Sequence, residues 1–450
     1  MRFVKDKNGR FLSADVSCDK VEFCDEYGAG VYDRTRLLRR RSKAKRLSTR
    51  RRRSLDFLQK IETTANKKIK GNTVSIYDEL GLPKLINAVG TYTVVGGSRM
   101  SEETLRDMCD AARSFVEVEK LQDILNRKVA ELTNNEAALL CNSCSCAIYL
   151  ATAACVARHY GKNFNNLTAE EISRCEVVAL WGQHIPYDHA MEQLGVKIRF
   201  VGFPNMQSEL AHSVVKDAIN SNTVMCYFAP RTPDGYYGEG CMNLADFIAI
   251  SHSCNIPVLA DGAAQLPPKH NLWRFTRDMG ADMACFSGGK DLCGPQASGL
   301  LLGKSELLDI ATNLSFPRYG CGRIMKIGRE EMVALYSAIR QYVNADEDAR
   351  LKWCENEVQK LVSSLESCRH FSAERTWPNQ AGQPLPRAFV ALESSSVTPA
   401  QLREMLRSGE PGIICYSENR NGVYINPMCL ADGEMEQIIA RFKEIDKQLV

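Results

Sequence analysis

A glycine-flanked lysine follows an apolar run near the middle of the chain. Residues 283–286 are nearly all apolar, and residues 287–290 (SGGK) come directly after them. A strand that ends in a small, glycine-rich turn lets a lysine project at the carboxyl edge of a parallel sheet, where open α/β folds bind ligands. The amine of Lys290 could there form an imine with an aldehyde. By itself, the motif indicates a solvated loop lysine more often than an imine lysine.

An aspartate ends another apolar run, 29 positions before the lysine. Asp261 opens residues 261–265 (DGAAQ). A carboxylate there can keep a pyridine nitrogen protonated, so that the ring withdraws electrons from a bound substrate. Alone, Asp261 could be a strand-end cap. Together with Lys290 it favours pyridoxal 5′-phosphate (PLP) as cofactor, and we place Gln265 and Ser287 among the cofactor-binding residues.

A turn rich in small residues, 141–147 (CNSCSCA), joins a predicted strand to a predicted helix. Backbone N–H groups at the start of such a helix bind phosphate, and Ser143, Cys144 and Ser145 are the predicted contacts. A metal set made by the three cysteines of this turn is the alternative. Because no second cluster of Cys or His with matching spacing completes a tetrahedral set, we predict no metal.

Two further groups of side chains are candidates for the site. His184 and His189 follow the next apolar run, and His184 is predicted to stack on the cofactor ring because it is nearer the strand end. An ordinary surface histidine fits the pattern as well. Arg323 and Lys326 provide cations for a substrate carboxylate or phosphate, with ordinary surface charge as the alternative.

Short apolar runs alternate with helical patterns from about Thr73 onward, which is typical of a doubly wound α/β domain. We predict buried strands at residues 137–141, 176–180, 197–201, 224–228, 256–260 and 283–286. Ser101 is predicted to cap a helix that continues to about Leu132. A second long helical region is predicted from about Gly328 to Ser367.

The chain is predicted to have three parts. Residues 1–70 form a basic N-terminal extension, disordered or helical; residues 71–320 form a large PLP-binding domain; residues 321–450 form a smaller C-terminal α+β domain. Residues 34–53, from Arg34 to Arg53, hold 12 Lys or Arg in 20 positions. Such charge density favours a contact with RNA or tRNA, and a disordered basic tail is the alternative.

Composition indicates a folded intracellular protein. Of the 450 residues 44% are hydrophobic, and the net charge is +3. The 18 cysteines are scattered through apolar runs, which favours reduced thiols over a disulfide framework. No stretch approaches the roughly 18 to 20 apolar residues of a membrane span, and the N-terminus has no apolar signal core. We therefore expect a cytoplasmic location and no membrane partner.

Five segments, in order along the chain, resemble a known family. They are residues 85–91 (LINAVGT), 187–190 (YDHA), 261–268 (DGAAQLPP), 287–290 with 294–296 (SGGK and GPQ), and 322–326 (GRIMK). The family is that of bacterial selenocysteine synthase, L-seryl-tRNA(Sec) selenium transferase, and the branch most similar is that of D-glucosaminate-6-phosphate ammonia lyase. The likeness extends from about Ser75 to Arg340. The phosphate turn departs from it, with Ser143, Cys144 and Cys146 where Gly and Ala are usual.

The resemblance implies an aspartate-aminotransferase-like PLP enzyme of fold type I, with a mostly parallel central sheet, that works by α,β-elimination. Lys290 would be the imine lysine and Asp261 the partner of the ring nitrogen. The substrate would be a small amino acid or amino-sugar acid, with or without a phosphate, and the protein a homodimer or larger homo-oligomer. Selenocysteine synthesis on tRNA by β-replacement is the first alternative. A non-catalytic RNA-binding role of the N-terminal extension is the second.

Overall fold

The fold is described from a computed structural model of the chain. For residues 2–5, 11–14, 20–25 and 28–33 the backbone is described; residues 75–203, 210–230, 242–393, 397–418 and 420–449 are described with their side chains. The basic stretch at 34–53, predicted to be helical or disordered, lies outside the described residues. The chain divides into two compact units, Met1–Leu82 and Pro83–Val450.

The described residues of the first unit form two antiparallel strand pairs and a short helix. Strand β1 (Arg2–Lys5) pairs with β2 (Phe11–Ala14), and β3 (Lys20–Asp25) pairs with β4 (Gly28–Asp33). Helix α1 (Ile76–Glu79) begins with a capping box between Ser75 and Asp78. The sequence prediction included no strands here. Alternation of Val21 and Phe23 with charged residues in β3 is the local signal that indicates one.

The second unit contains the remaining elements. Its strands are β5 (Leu85–Asn87), β6 (Ala137–Cys141), β7 (Glu176–Leu180), β8 (Lys197–Val201), β9 (Thr223–Phe228), β10 (Val258–Asp261), β11 (Met283–Ser287), β12 (Gly299–Gly303), β13 (Phe371–Thr376), β14 (Arg387–Leu392), β15 (Gly412–Ile414) and β16 (Gly422–Ile425). Its helices are α2 (Glu102–Arg113), α3 (Val118–Leu132), α4 (Cys144–Tyr160), α5 (Ala169–Arg174), α6 (His189–Glu192), α7 (His212–Ala218), α8 (Leu244–Ser253), α9 (Asn271–Trp273), α10 (Ser305–Leu314), α11 (Arg329–Asn344), α12 (Glu347–Leu365), α13 (Pro399–Arg407) and α14 (Glu434–Gln448).

A seven-stranded sheet forms the centre of this unit, in the order β6-β12-β11-β10-β9-β7-β8. Strands β11, β10, β9, β7 and β8 are parallel to one another, whereas β12 runs antiparallel to both β11 and β6. All six predicted strands belong to this sheet, with ends within two residues of the prediction. The predicted α/β class with a mostly parallel sheet is therefore confirmed.

Both faces of the sheet are buried, except at the edge strand β8, because alternate residues of the other strands enter two different hydrophobic clusters. Phe228 and Phe286 lie in the cluster on one face, with residues of α3, α8 and α11. Tyr227 and Cys285, their chain neighbours, lie in the cluster on the other face, with residues of α4, α6 and α10. This two-sided burial explains why the strands read as apolar runs rather than as alternating ones.

The helix predicted from Ser101 to Leu132 is two helices. Helix α2 begins as expected, since the Ser101 hydroxyl accepts from the Thr104 N–H, but it ends at Arg113. Ser114 is extended, and α3 begins only at Val118. Helical spacing on both sides of the break is continuous in the sequence, so periodicity alone joins the two. The helical region predicted from Gly328 to Ser367 likewise divides into α11 and α12, with Asp346 as the cap of the second.

The C-terminal segment combines an antiparallel sheet with helices. Strands β13, β14 and β16 pair in that order, and β15 pairs with β5 in parallel. Residues of α12, α13 and α14 form a hydrophobic cluster with them. Within the described helices, no segment is both long and apolar enough to cross a bilayer. The described cysteines are unpaired, and most of them are buried.

Candidate active site

The lysine turn lies at the carboxyl end of β11 and is closely packed. A side chain on Gly288 would lie 2.0 Å from the Ser298 hydroxyl, and one on Gly289 would lie 2.7 Å from the Cα of Gln296. The Ser98 hydroxyl donates to the carbonyl oxygen of Lys290 at 2.6 Å. The glycines are thus required by close approach, and the lysine backbone is held in place.

Asp291, the residue after the lysine, fixes the turn to two helices. Its carboxylate accepts two hydrogen bonds from the Arg350 guanidinium, at 2.9 and 2.7 Å, and one from the Tyr342 hydroxyl at 2.7 Å. Asp291 is buried, and burial together with the Asp291 charge raises the pKa of Tyr342 well above its usual value. Tyr342 therefore stays a donor. Helices α11 and α12, which carry these partners, are thereby connected to the lysine turn.

Asp261 lies at the carboxyl end of β10 and is buried. Its Oδ1 accepts from the Ala263 N–H at 2.9 Å, and its Oδ2 accepts from the Tyr227 hydroxyl at 2.7 Å. Burial, and next the Asp261 charge, raise the pKa of Tyr227 well above its usual value. Tyr227 remains protonated and donates, which stabilises the ionised carboxylate.

Lys290 and Asp261 line the same two cavities. The inner cavity, about 210 Å³, is bounded by the turn between β6 and α4, by the lysine turn and by Thr93. The outer cavity, about 460 Å³, is bounded by Gln265 and by residues of the C-terminal segment. Both walls contain Tyr187, Asp261, Ala263 and Lys290, so the cavities adjoin at the lysine and the aspartate.

The start of α4 provides anion-binding groups to the inner cavity. Ser143 caps the helix by accepting from the Cys146 N–H at 3.0 Å, and Ser143, Cys144 and Ser145 line the cavity. The first N–H groups of a helix have no partner within it, and in a 17-residue helix they form its positive end. A side chain on Gly299 would lie 2.2 Å from the Ser143 carbonyl carbon, so this glycine allows β12 to approach the turn.

Ser287 also lines the inner cavity, and Gln265 the outer one. The Gln265 amide donates to the Ala381 carbonyl at 3.4 Å, while its Oε1 is buried without a hydrogen-bond partner among the described residues. A buried acceptor of this kind is compensated by a donor on a bound molecule. The residues predicted at 143, 144, 145, 261, 265, 287 and 290 are therefore brought together around the two cavities.

His184 is placed elsewhere. Its Nδ1 is 2.7 Å from the Asp188 carboxylate, and its ring packs against Phe200 with a centroid distance of 4.7 Å. Neither cavity wall includes it, whereas Tyr187 belongs to both. The chain turns after β7 through two short 3-10 segments, so nearness to the strand end does not decide which side chain faces the site.

Arg323 and Lys326 also lie outside both cavity walls. Their cationic groups lie over the ring of Phe316, at 4.8 and 5.8 Å from its centroid. Such cation–π contacts account for the placement of both side chains. A role in substrate binding remains a prediction for these two residues.

Several residues of the outer cavity were not predicted from the sequence. They are Tyr92, Gln380, Tyr416 and Glu418. Tyr92 directly follows the segment 85–91, which was singled out for its resemblance, and that position was an available signal. The other three come from the C-terminal segment, where no local motif marks them.

The fold and the cavity define a class of protein. A mostly parallel sheet, a lysine turn, a carboxylate at the end of a neighbouring strand and a helix start for an anion are the parts of the PLP enzymes of fold type I. The residues fit that cofactor, because groups for its aldehyde, ring nitrogen and phosphate line adjoining cavities. The chain is accordingly a fold-type-I enzyme of the PLP-dependent lyases and transferases.

Comparisons with known proteins agree with this class. Residues 123–334 match the family model Aminotransferase class-V. The chain is 27% identical over 384 residues to 5′-C-glycyluridine monooxygenase-decarboxylase of a Streptomyces species, covering 83% of this chain and 93% of the relative. It is 26% identical over 381 residues to D-glucosaminate-6-phosphate ammonia lyase of Salmonella typhimurium, covering 83% and 98%.

A solved structure and a third relative complete the comparison. The structure of D-glucosaminate-6-phosphate ammonia-lyase matches with a TM-score of 0.72 and 25% identity, covering 84% of this chain and 99% of that chain. L-seryl-tRNA(Sec) selenium transferase of Geobacter sulfurreducens is 23% identical over 424 residues, covering 83% and 86%. The resemblance inferred from the five sequence segments is confirmed.

Proposed function

We propose that this protein is a PLP-dependent lyase that performs α,β-elimination on a small amino acid or amino-sugar acid, with or without a phosphate. One observation carries the proposal: Lys290 and Asp261 lie in the shared wall of two adjoining cavities. Similarity to an ammonia lyase over most of both chains supports the reaction type.

Three groups of the chain would hold the cofactor. The start of α4, with Ser143 and Ser145, and Ser287 would bind its phosphate. Asp261 would hold its ring nitrogen, and Lys290 its aldehyde. When bound, PLP supplies a protonated conjugated ring that draws electrons from the substrate's α-carbon.

The chain's own residues would move the protons. The Nζ of Lys290, once free, would take the proton from the substrate's α-carbon, acting as a general base. The same amine would then give this proton to the departing β-hydroxyl, which leaves as water. Hydrolysis of the dehydrated product would release ammonia and a keto acid. Asp261, which accepts hydrogen bonds from Tyr227 and the Ala263 N–H, would maintain the charge of the ring nitrogen. The ion pair between Asp291 and Arg350 would keep the backbone of the lysine turn in position.

The outer cavity is the proposed substrate site. Tyr92, Gln380, Tyr416 and Glu418, whose side chains carry hydroxyl, amide and carboxylate groups, line it together with Gln265, whose Oε1 has no hydrogen-bond partner among the described residues. Such groups suit a substrate with several hydroxyls, because each hydroxyl can both donate and accept. An amino-sugar acid has this chemistry.

Selenocysteine synthesis on tRNA is the second candidate. It is supported by the similarity to L-seryl-tRNA(Sec) selenium transferases and by the 12 cations of residues 34–53. We rank it second, because the ammonia lyase likeness covers nearly the whole length of that relative at higher identity. A cytoplasmic location, a homodimer and the division at residues 70 and 320 are parts of the same proposal. Sedimentation of the full chain tests the dimer.

A substrate screen tests the function. Amino acids and amino-sugar acids, each with and without a phosphate, are offered to the PLP-loaded protein, and release of ammonia and keto acid is measured. We expect turnover of at least one amino-sugar acid, no turnover by Lys290→Ala, and normal turnover by Lys216→Ala, which changes an exposed lysine of α7. Product release by Lys290→Ala at the wild-type rate would contradict the proposal.

A further inference from the structure

Two thiols and a carboxylate converge beneath the inner cavity. Cys144 comes from the first turn of α4, Asp261 from the end of β10 and Cys285 from β11, and all three are buried. Their potential ligand atoms lie within 4.8 Å of one another. This cluster differs from the three-cysteine set of residues 141–147 considered in the sequence. Asp261 and Cys285 are distant from Cys144 in the chain, and only the fold brings them to it.

The two sulfur-to-oxygen distances of the cluster are close to those of a tetrahedral metal site. With metal–sulfur bonds of about 2.3 Å and metal–oxygen bonds of about 2.1 Å, a tetrahedral angle separates sulfur from oxygen by about 3.6 Å. Both thiol sulfurs are 3.7 Å from the Oδ1 of Asp261. The two sulfurs lie within 4.8 Å of each other, so small movements of the side chains would bring all three atoms to one ion.

The cluster opens to the inner cavity on one side. Cys144 and Asp261 line that cavity, so an ion can enter from it and take its fourth ligand, a water molecule, from it. Two thiolates with one carboxylate favour zinc-like ions over magnesium or calcium, which prefer oxygen ligands.

We propose that the cofactor-free protein binds one thiophilic divalent cation of the zinc class at Cys144, Asp261 and Cys285, and that this ion and PLP exclude each other. Binding breaks two S–H bonds, forms two metal–sulfur bonds and releases two protons to water, and no electron is transferred. Exclusion follows because the ion occupies the carboxylate that the proposed function assigns to the ring nitrogen. The metal site itself depends on the fold and not on the lyase reaction.

A cadmium titration tests the site. Full-length protein freed of PLP is titrated with Cd²⁺ while thiolate-to-metal absorption in the ultraviolet and proton release are recorded. We expect one ion and two protons per chain, and affinity lowered about tenfold or more in Cys144→Ser and in Cys285→Ser. Cys155→Ser, which changes a buried thiol of the same helix, should bind as the wild type does. Unchanged affinity in both cluster variants overturns the proposal.

Two wild-type measurements keep the test decisive should a variant fail to fold. Cd²⁺ should slow alkylation of Cys144 while leaving that of the exposed Cys109 unchanged, and added PLP should release the bound ion. Equal alkylation of Cys144 with and without the ion, or simultaneous binding of Cd²⁺ and PLP at full affinity, overturns the proposal. Neither measurement requires turnover, so a failed substrate screen would leave this result intact.

Discussion

At the scale of single residues, the site depends on how two carboxylates beside it are held. Asp261 accepts from Tyr227 and from the backbone, whereas Asp291 accepts from Arg350 and Tyr342. Buried carboxylates need such donors to stay ionised. One of them faces the cofactor site, and the other holds the backbone that carries Lys290. Each can be tested separately.

Replacing Tyr227 by Phe should weaken cofactor binding. The change removes one hydrogen bond to a carboxylate, which contributes about 1.5 to 3 kcal/mol, and this corresponds to about a 10- to 150-fold rise in the Kd for PLP. Spectroscopic titration of the PLP-free protein measures it. Tyr160→Phe, which removes a hydrogen bond to the Glu171 carbonyl, is the control. An unchanged Kd in Tyr227→Phe would show that this hydroxyl does not tune Asp261.

Replacing Arg350 by Met should destabilise the fold, because Asp291 would keep a buried charge without its main partner. We expect a loss of about 3 kcal/mol in the free energy of unfolding. Urea unfolding measures it. The matched control is Arg375→Met, which breaks the exposed pair with Glu355 and should cost less than about 1 kcal/mol. Equal losses in the two variants would contradict the anchoring role of Asp291.

The sequence predicts some of these residues better than others. Lys290, Asp261 and the serines of the phosphate turn belong to short motifs at strand ends, and the combination of these motifs, rather than any one of them, singles the residues out. In the sequence, Tyr227 is one residue of an apolar strand and nothing marks its hydroxyl. The pairing of β9 with β10 is what brings that hydroxyl to Asp261. His184 and Tyr187 are three positions apart. The path of the chain after β7 determines which of the two lines the cavities, and the sequence does not reveal that path.

At the scale of elements, buried strands were predictable and helix breaks were not. A strand covered on both faces must be apolar throughout, so its composition marks it. Strand β12 escaped prediction, although residues 299–303 (GLLLG) are as apolar as the others. The break between α2 and α3 occurs at Ser114, which has an extended backbone. No residue type in this segment requires that conformation, so the sequence does not predict the break.

Gly299 tests whether β12 positions the phosphate turn. In Gly299→Ala the new methyl group would clash with the backbone of Ser143, whereas in Gly303→Ala, at the other end of the strand, it would clash with the Asp282 carbonyl at 2.1 Å. Both variants should lower the melting temperature. Only Gly299→Ala should also weaken PLP binding, by about tenfold, because the start of α4 moves. Equal PLP affinity in the two variants would mean that β12 does not position this turn.

At the scale of the whole molecule, the chain joins a catalytic unit to an N-terminal unit of different composition. The four strands of residues 2–33 were not predicted, although they are no shorter than the predicted strands of the central sheet, because polar and small residues interrupt them. They form no continuous apolar run of the kind that marks a strand buried on both faces, and the arginines that follow dominate the composition of this region. The function of the basic stretch at 34–53 therefore stays a prediction that charge substitutions can test.

Neutralising arginines in the basic stretch should affect RNA binding if tRNA is a partner. In the full chain, Gln replaces Arg50, Arg51, Arg52 and Arg53, and tRNA affinity is measured at several salt concentrations. The tRNA alternative predicts weaker binding and a slope reduced by about 0.7 per lost phosphate contact. The control is a variant in which Gln replaces Lys443 and Lys447, two exposed lysines of α14. Identical salt slopes in both variants would count against a tRNA partner.

The central claim is tested most directly by locating the cofactor's attachment. The full-length protein is incubated with PLP, reduced with borohydride, digested and mapped by mass spectrometry. The account predicts a phosphopyridoxyl group on the peptide that contains Lys290, and its loss in Lys290→Ala without loss of the fold by circular dichroism. Attachment to a different lysine, or no attachment at saturating PLP, would contradict it.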